Sequence, residues 1–135
     1  MKGWVVDSNI FLRFFTNDDP AARDRAERIL RRAERGEIEL ICGPPVLFEI
    51  AWTLRAAYKR THGDILDVLR AIAVLPGLTL TDELLVRDAL ARAEQTGIGF
   101  ADAYIAAMAA AHGCVGVATF NRSDFIELGS DILDT

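Results

Sequence analysis

The sequence contains few of the residues that bind soft metal ions or form disulfides. Its 135 residues include two cysteines, Cys42 and Cys114, and two histidines, His62 and His112. The cysteines lie far apart in apolar segments and lack the CxxC spacing typical of zinc ligands. A structural zinc site is therefore not expected. We expect both cysteines to be buried thiols in a reducing cytoplasm.

Long apolar runs and a secretory signal are absent as well. No uninterrupted apolar stretch reaches the roughly 20 residues that a membrane helix needs, and Asp7 follows the N-terminus too closely for a signal peptide. The composition is globular, with 51% hydrophobic and 26% charged residues and no repeat or low-complexity segment. These features predict one domain over residues 1–135, located in the cytoplasm and not in a membrane.

Positive charge is scarce, because 15 lysines and arginines face 20 acidic residues and leave a net charge of −5. Proteins that bind nucleic acid usually carry a basic surface, so this balance argues against tight, charge-driven binding over a wide area. The arginines are concentrated in residues 23–35, most simply interpreted as the solvated face of a helix. Metal ions at a site would supply the positive charge that a nucleic-acid substrate requires.

Short apolar segments alternate with helical periodicity along the chain. Strands are predicted at residues 3–6, 38–42, 78–81 and 114–119, with a last short strand near 131–134. Helices are predicted at residues 8–15, from Pro20 to a stop at Gly36, and at 46–58, 64–73, 83–97 and 100–112. This alternation predicts an α/β fold in which helices sandwich a mostly parallel central sheet. Ligands of such folds gather beyond the carboxyl ends of the strands, which points to Asp7 and to residues 119–124.

Four acidic residues stand apart from other charges. Asp7, Glu49 and Asp102 each lie in an otherwise apolar segment, and Asp124 follows the last clear strand. An ionised carboxylate buried without a partner costs several kcal/mol, so each of these groups needs a donor or a cation. Helix capping explains Asp7, a helix's first turn explains Asp102, and an ordinary turn explains Asp124. A glutamate in the middle of a helix caps nothing, so Glu49 has no such explanation.

A shared hard divalent cation explains all four acids together. Carboxylates without histidine or cysteine nearby favour Mg²⁺ or Mn²⁺ over zinc. Such an ion lowers the pKa of a bound water and stabilises charge on a phosphoryl oxygen. Four acids suffice for one ion or for two ions ~4 Å apart, and the sequence leaves this number open.

Four segments, in this order and spacing, resemble the PIN-domain family. They are VVDSNIFLRFF at residues 5–15, FEIAWTL at 48–54, FADAYIAA at 100–107 and ATFNRSDF at 118–125. The likeness covers about residues 4–127 and is closest to VapC-type toxins of bacterial and archaeal toxin–antitoxin pairs. It implies a three-layer α/β/α sandwich and a Mg²⁺- or Mn²⁺-dependent endoribonuclease that acts on RNA.

The resemblance also implies the site residues. The family's first acid, its glutamate and its third acid match Asp7, Glu49 and Asp102. Many relatives have their fourth acid where this chain has Asn121, and Asp124 stands three residues further on. Either Asp124 supplies the fourth carboxylate, or Asn121 gives a neutral oxygen and the site holds one ion more weakly.

Two hydroxyl residues and several aromatic residues complete the comparison. Thr119 and Ser8 match positions of small hydroxyl residues that orient ligands or water, although turn capping explains Ser8 equally well. Family members pair with a small antitoxin whose C-terminal tail blocks the site, and they commonly dimerise. The aromatic residues available for such surfaces, or for the core as the preferred interpretation, are Phe11, Phe14, Phe15, Phe48 and Trp52. Residues 23–35 are a candidate guide for RNA.

Three other functions fit the sequence less well. A receiver-like signalling domain needs a pair of acids after the first strand and a lysine after a late strand. The chain has one acid at Asp7 and no lysine beyond Lys59. A PIN-domain nuclease that processes RNA outside a toxin pair, and an interaction domain with a catalytically weak site, remain the alternatives.

Overall fold

The computed structural model describes residues 3–134, which form seven helices and five short strands. By their contacts these residues group into two units, of which the first ends at Thr81 and the second begins at Asp82. The expectation of one domain over residues 1–135 stays a prediction. Among residues 3–134, no helix combines the length and the apolar character needed to span a membrane.

The first unit contains three parallel strands and four helices. In chain order they are β1 (Gly3–Val5), α1 (Ser8–Phe15), α2 (Pro20–Glu34), β2 (Glu39–Cys42), α3 (Pro44–Ala56), α4 (His62–Ala73) and β3 (Leu78–Leu80). Strand β2 lies in the middle, with Leu40 opposite Trp4 on one side and opposite Leu78 on the other. The predicted parallel pairing is therefore confirmed for this unit.

Local residue types explain where these helices begin. Helix α2 starts at Pro20 after Asp19, whose carboxylate accepts a hydrogen bond from the Ala22 amide at 3.1 Å. Helix α3 starts two residues earlier than predicted because proline suits the first turn of a helix. Helix α4 also starts early, at His62, because the Thr61 hydroxyl accepts from the Asp64 amide.

The apolar faces of α1, α3 and α4 supply the core of the first unit. Helix α1 packs on α2 and α3, and α3 packs on α4. The largest side chains that are fully buried here are Phe11, Leu47, Ile50, Leu54, Leu69 and Ile72. Cys42 is buried among them, as predicted.

A polar cluster ties the end of α1 to the chain beyond α3. The Tyr58 hydroxyl donates to Oδ2 of Asp18 at 2.7 Å, and Arg13 Nη1 donates to Oδ1 at 3.4 Å. The Thr16 hydroxyl lies 3.0 Å from the same Oδ1 and 2.6 Å from the Leu12 carbonyl, so its single proton serves one of them at a time. Hydrogen bonds from Tyr58 first, and then from Thr16, lower the pKa of Asp18 below its ordinary value.

The second unit contains three helices and a two-stranded sheet. In order these are α5 (Glu83–Thr96), α6 (Phe100–Ala111), β4 (Gly116–Val117), α7 (Arg122–Glu127) and β5 (Asp131–Ile132). Helices α5 and α6 pack on each other, and β4 pairs with β5 in parallel. Gly97 ends α5 as predicted, with the left-handed backbone that glycine adopts most readily.

Further details of this architecture differ from the sequence-based expectations. Helix α7 occupies a segment for which no helix was predicted, and β4 covers two residues of the longer strand predicted at 114–119. Cys114 is exposed and not buried, because it lies in the turn after α6. Trp52 is 70% exposed and so is not part of the core. Phe11 is in the core, whereas Phe14, Phe15 and Phe48 are half-buried.

Candidate active site

Asp7 lies two residues beyond the end of β1 and is the N-cap of α1, as the capping interpretation predicted. Its Oδ1 accepts a hydrogen bond from the Ser8 amide at 2.8 Å. The Asp7 side chain is exposed, whereas Ser8 is buried. Because the cap engages one carboxylate oxygen, the group retains capacity for a further ligand.

Glu49 lies on the outer face of α3. The residues around it in sequence, Leu47 and Ile50, point into the core and are fully buried, and Glu49 itself is exposed. Trp52, one turn further along α3, is exposed on the same side. The expectation that burial forces a cation onto these acids is therefore wrong for Asp7 and Glu49, since both reach solvent.

Asp7 and Glu49 belong to two helices of the first unit that pack on each other. Helix α1, which Asp7 caps, packs directly on helix α3, which carries Glu49. Sequence periodicity alone did not pair these two helices. Their contact requires the buried faces that contain Phe11 and Leu47.

Asp102 lies in the first turn of α6, as the sequence predicted. The preceding N-cap is Gly99, which offers no side chain to the helix terminus, so an acid in this turn complements the helix dipole. Asp102 is half-buried, and the inner face of the helix contains Ala103 and Tyr104. Burial, and then the charge of Asp82, raise the pKa of Tyr104 above its ordinary value, so its phenol stays protonated near neutral pH.

Thr119, Asn121 and Asp124 form a connected polar group at the start of α7. The Thr119 hydroxyl accepts from the Asn121 amide nitrogen at 3.0 Å. The Asn121 side chain in turn donates from Nδ2 to Oδ2 of Asp124 at 2.9 Å. Oδ1 of Asp124 and the side-chain carbonyl oxygen of Asn121 are not used in these two hydrogen bonds. The structure therefore brings the two candidates for the fourth ligand together.

The four candidate acids have no basic partner, unlike some of the other acids of the chain. Within the described part of the chain, none of Asp7, Glu49, Asp102 and Asp124 forms an ion pair with lysine or arginine. Acids elsewhere on the surface do form such pairs, and these are Asp18, Glu27, Glu37, Asp67, Glu83 and Asp88. The four carboxylates thus have no internal cation to neutralise them.

The donor set suits a hard cation. In neither unit, as far as its residues are described, do three or more His, Cys, Asp or Glu side chains form a group that could hold a metal ion. The candidate donors are carboxylate, amide and hydroxyl oxygens, which Mg²⁺ and Mn²⁺ prefer. Burial raises the pKa of the Cys42 thiol to about 11, so this residue is not a thiolate ligand at neutral pH. That the four acids converge on one centre stays a prediction.

The parallel strands, the intervening helices and the unpaired acids define an α/β protein with an oxygen-rich candidate site. The sequence matches the family model described as PIN domain over residues 4–130, and the chain belongs to this family. No curated protein matches the chain. The expected PIN-like α/β/α fold class is confirmed.

The PIN-domain family has a general function. PIN domains are generally nuclease domains that act on RNA or other nucleic acid. They generally use divalent metal ions. Family membership therefore supports the expected general activity, hydrolysis of nucleic acids.

Sequence reasoning missed helix α7 and with it the setting of Asp124. Two signals were available, because Asn121 is a residue type that favours N-caps and Asp124 suits a first turn. The segment is only six residues long, and its single buried residue, Phe125, produces no helical periodicity. Asn9 was also overlooked, although it follows Asp7 closely and lines two surface clefts.

Proposed function

We propose that this PIN domain is a Mg²⁺- or Mn²⁺-dependent endoribonuclease whose metal ligands are Asp7, Glu49, Asp102 and Asp124. The observation that carries the proposal is the chain's membership of the PIN-domain family over residues 4–130, and the lack of any lysine or arginine partner for these four carboxylates within residues 3–134 agrees with it. Three of these acids, Asp7, Glu49 and Asp102, resemble the acidic positions of the family, and Asp124 lies three residues beyond the position at which many relatives have the fourth. The stoichiometry of Mn²⁺ binding measures whether the site holds one ion or two.

A Mg²⁺ or Mn²⁺ ion held by these residues would supply a water of lowered pKa and would stabilise negative charge on the phosphoryl oxygen. The four carboxylates would hold the cation, and Oδ1 of Asp124 would be available to it, because Oδ2 accepts a hydrogen bond from Asn121. Thr119 positions Asn121 through a hydrogen bond to its backbone amide. Ser8, which donates its amide to Asp7, holds that carboxylate at the end of β1.

We further propose that the chain is the toxin of a toxin–antitoxin pair, active in the cytoplasm and inhibited by a small cognate antitoxin. The support is the likeness of its four motifs to VapC-type toxins. The exposure of Trp52 on the same side of α3 as Glu49 supports a protein-binding surface beside the site, for the antitoxin or for a second copy in a homodimer. Large exposed aromatic side chains are enriched at such interfaces.

Cleavage of RNA by the purified chain tests the nuclease proposal. Asp7→Asn and Asp102→Asn should each lower the cleavage rate by at least about 100-fold, more than is typical for groups that only support a metal ligand. Excess chelator should stop cleavage, and Mg²⁺ or Mn²⁺ should restore it. Glu83→Gln is the matched control, since Glu83 is an exposed helix acid that pairs with Arg87. Full activity of Asp7→Asn, or activity in chelator, would refute the metal-nuclease mechanism.

Growth of cells that express the chain tests the toxin proposal separately. Expression should arrest growth, Asp102→Asn should abolish the arrest, and the product of an adjacent small gene should relieve it. A chain that cleaves RNA without arresting growth is an RNA-processing nuclease outside a toxin pair. A chain that binds partners without cleaving RNA is the catalytically weak interaction domain.

A further inference from the structure

Helix α7, which carries Asp124, is too short to be stable by itself. It spans six residues, whereas isolated helices shorter than roughly 12–15 residues are barely stable in water. Its position therefore depends on contacts with the rest of the second unit. Apolar contacts are part of these, because Phe125 in the helix and Leu128 directly after it are buried. A polar contact at the C-terminal end of α7 adds a further restraint.

That polar contact comes from Arg92 on α5. Its Nη1 donates a hydrogen bond to the Leu128 carbonyl at 3.3 Å, across 36 residues of sequence. The last carbonyls of a helix have no partner within the helix, and an arginine near this end both donates to them and complements the helix dipole. Arg92 therefore holds the C-terminal end of α7 to α5.

Asp88 fixes the direction of the Arg92 guanidinium. Both oxygens of its carboxylate accept from Nε of Arg92, at 3.1 and 3.2 Å, from one turn earlier on α5. Arg87 pairs with Glu83 at the same spacing on this helix, but its side chain is 52% exposed, and that of Arg92 is 27% exposed. An exposed ion pair of this kind contributes little to stability. What distinguishes Arg92 is its second acceptor, which belongs to the end of α7.

The contact made by Arg92 leads to the backbone of Asp124. The Leu128 amide donates to the Asp124 carbonyl at 2.9 Å, so the residue that Arg92 holds also closes the last turn of α7. The Asp124 side chain is oriented separately, by the hydrogen bond from Asn121. Asp124 is thus restrained both at its backbone and at its carboxylate. A metal ligand held in this way needs little reordering when it binds a cation.

We propose that Arg92 is a positioning residue of the metal site, which acts through Leu128 and α7 to hold Asp124 in place for the cation. In this role Arg92 does not contact the cation itself. The inference rests on the proposed function, in which Asp124 is a ligand of Mg²⁺ or Mn²⁺. Groups that support a metal ligand typically contribute about 10- to 100-fold to metal affinity, and a residue that acts through a backbone contact should lie at the lower end.

Hydrogen exchange in the metal-free protein tests the positioning step without depending on a cation or on cleavage. Arg92→Met removes the hydrogen-bond donors and keeps a long, unbranched side chain. Exchange of the Leu128 amide, followed by NMR, should become about 10-fold faster in this variant, because a charge-assisted hydrogen bond at the same residue is lost. Arg87→Met is the matched control and should leave this rate unchanged. Unchanged exchange of the Leu128 amide in Arg92→Met would overturn the inference.

A cycle of Mn²⁺ titrations tests the link to the metal site. Arg92→Met should lower the Mn²⁺ affinity by about 10-fold in the wild-type background. In an Asp124→Asn background it should lower the affinity by less than about two-fold, because the ligand that Arg92 positions is already lost. Arg92→Lys should recover part of the affinity, since an ammonium group also donates to a carbonyl. Equal losses in the two backgrounds, or equal losses with lysine and methionine, would reduce Arg92 to a general structural role and overturn the inference.

Failure of the proposed function is recognised from a variant that keeps Arg92. If Asp124→Asn alone leaves the Mn²⁺ affinity unchanged, Asp124 is not a ligand, and both the proposed ligand set and this inference fail. If Asp124→Asn lowers the affinity and Arg92→Met does not, this inference fails and the ligand set stands.

Discussion

The side-chain amide of Asn121 donates a hydrogen bond to the carboxylate of Asp124 across 2.9 Å at the start of α7. Asn121 is therefore a hydrogen-bond partner of Asp124, so the two residues can act together and need not be alternative metal ligands. A carboxylate attracts a divalent cation far more strongly than an amide oxygen does. We therefore propose Asp124 as the fourth ligand, with Asn121 in a positioning role.

This assignment predicts unequal effects of substitutions at the two positions. Asp124→Asn should weaken Mn²⁺ binding more than Asn121→Ala, whose cost should lie within the roughly 10- to 100-fold typical of groups that support a metal ligand. Calorimetric titration with Mn²⁺ measures both. An Asn121→Ala variant that loses as much affinity as Asp124→Asn would instead make Asn121 the direct ligand.

The two faces of α3 predict opposite responses to truncation. Ile50→Ala removes a fully buried side chain and should lower the free energy of unfolding by about 2–5 kcal/mol. Trp52→Ala, on the exposed side next to Glu49, should change it by no more than about 0.5 kcal/mol. Urea denaturation of both variants checks the orientation of the helix that presents Glu49. A large destabilisation by Trp52→Ala in the isolated chain would show that this face is packed.

The two cysteines should differ sharply in reactivity toward a thiol reagent. Cys114 is exposed, whereas Cys42 is buried and its thiol has a pKa of about 11. One thiol should therefore react quickly in the native protein and both in denaturant. The rapid phase should disappear in Cys114→Ser and persist in Cys42→Ser. Rapid labelling of Cys42 in the native state would contradict the packing around β2.

The lowered pKa of Asp18 predicts a pH-dependent contribution to stability. Its ordinary value is 3.8, and the hydrogen bond from Tyr58 is the largest cause of the decrease. A group whose pKa is lower in the folded state stabilises the fold above its unfolded pKa, and the contribution is lost as the pH falls through the folded pKa. Tyr58→Phe should therefore lower the free energy of unfolding at neutral pH, and this loss should shrink at pH values below 3.8.

A direct titration of Asp18 separates this effect from a general loss of packing. Its side-chain carbon resonance, followed by NMR as the pH is lowered, should report a higher pKa in Tyr58→Phe than in the wild type. Asp18→Asn provides the control, because Tyr58→Phe on that background should have no further pH-dependent effect. An unchanged pKa of Asp18 in Tyr58→Phe would mean that another donor determines it.

Much of the fold followed from the sequence because periodicity and turn residues agree along most of the chain. Helix α1 begins where predicted, since Asp7 is a favourable cap, and helix α5 ends where predicted, since Gly97 is a favourable stop. Strand and helix ends shifted where prolines or Thr61 extended a helix. Helix α7 escaped prediction because six residues are too few to show a period.

The candidate site was predictable in residue type but not in environment. Glu49 stands among apolar residues in the sequence, which indicated that it is buried. In the helix, however, the apolar residues Leu47 and Ile50 face the core, and Glu49 faces solvent. The hydrogen bond between Asn121 and Asp124 depends on a helical turn that the sequence did not reveal. The pairing of some arginines of α2 with glutamates likewise depends on three-dimensional contacts.

The central claim is that side chains from distant parts of the chain bind a common cation, and a double-mutant cycle of Mn²⁺ binding tests it most directly. Binding constants and stoichiometry are measured for the wild type, Asp7→Asn, Asp102→Asn and the double variant. If both acids hold the same centre, each single substitution should lower the affinity by at least about 10-fold, and the double variant should lose clearly less than the product of the two losses. Wild-type affinity in either single variant, or losses that simply multiply, would contradict a shared centre.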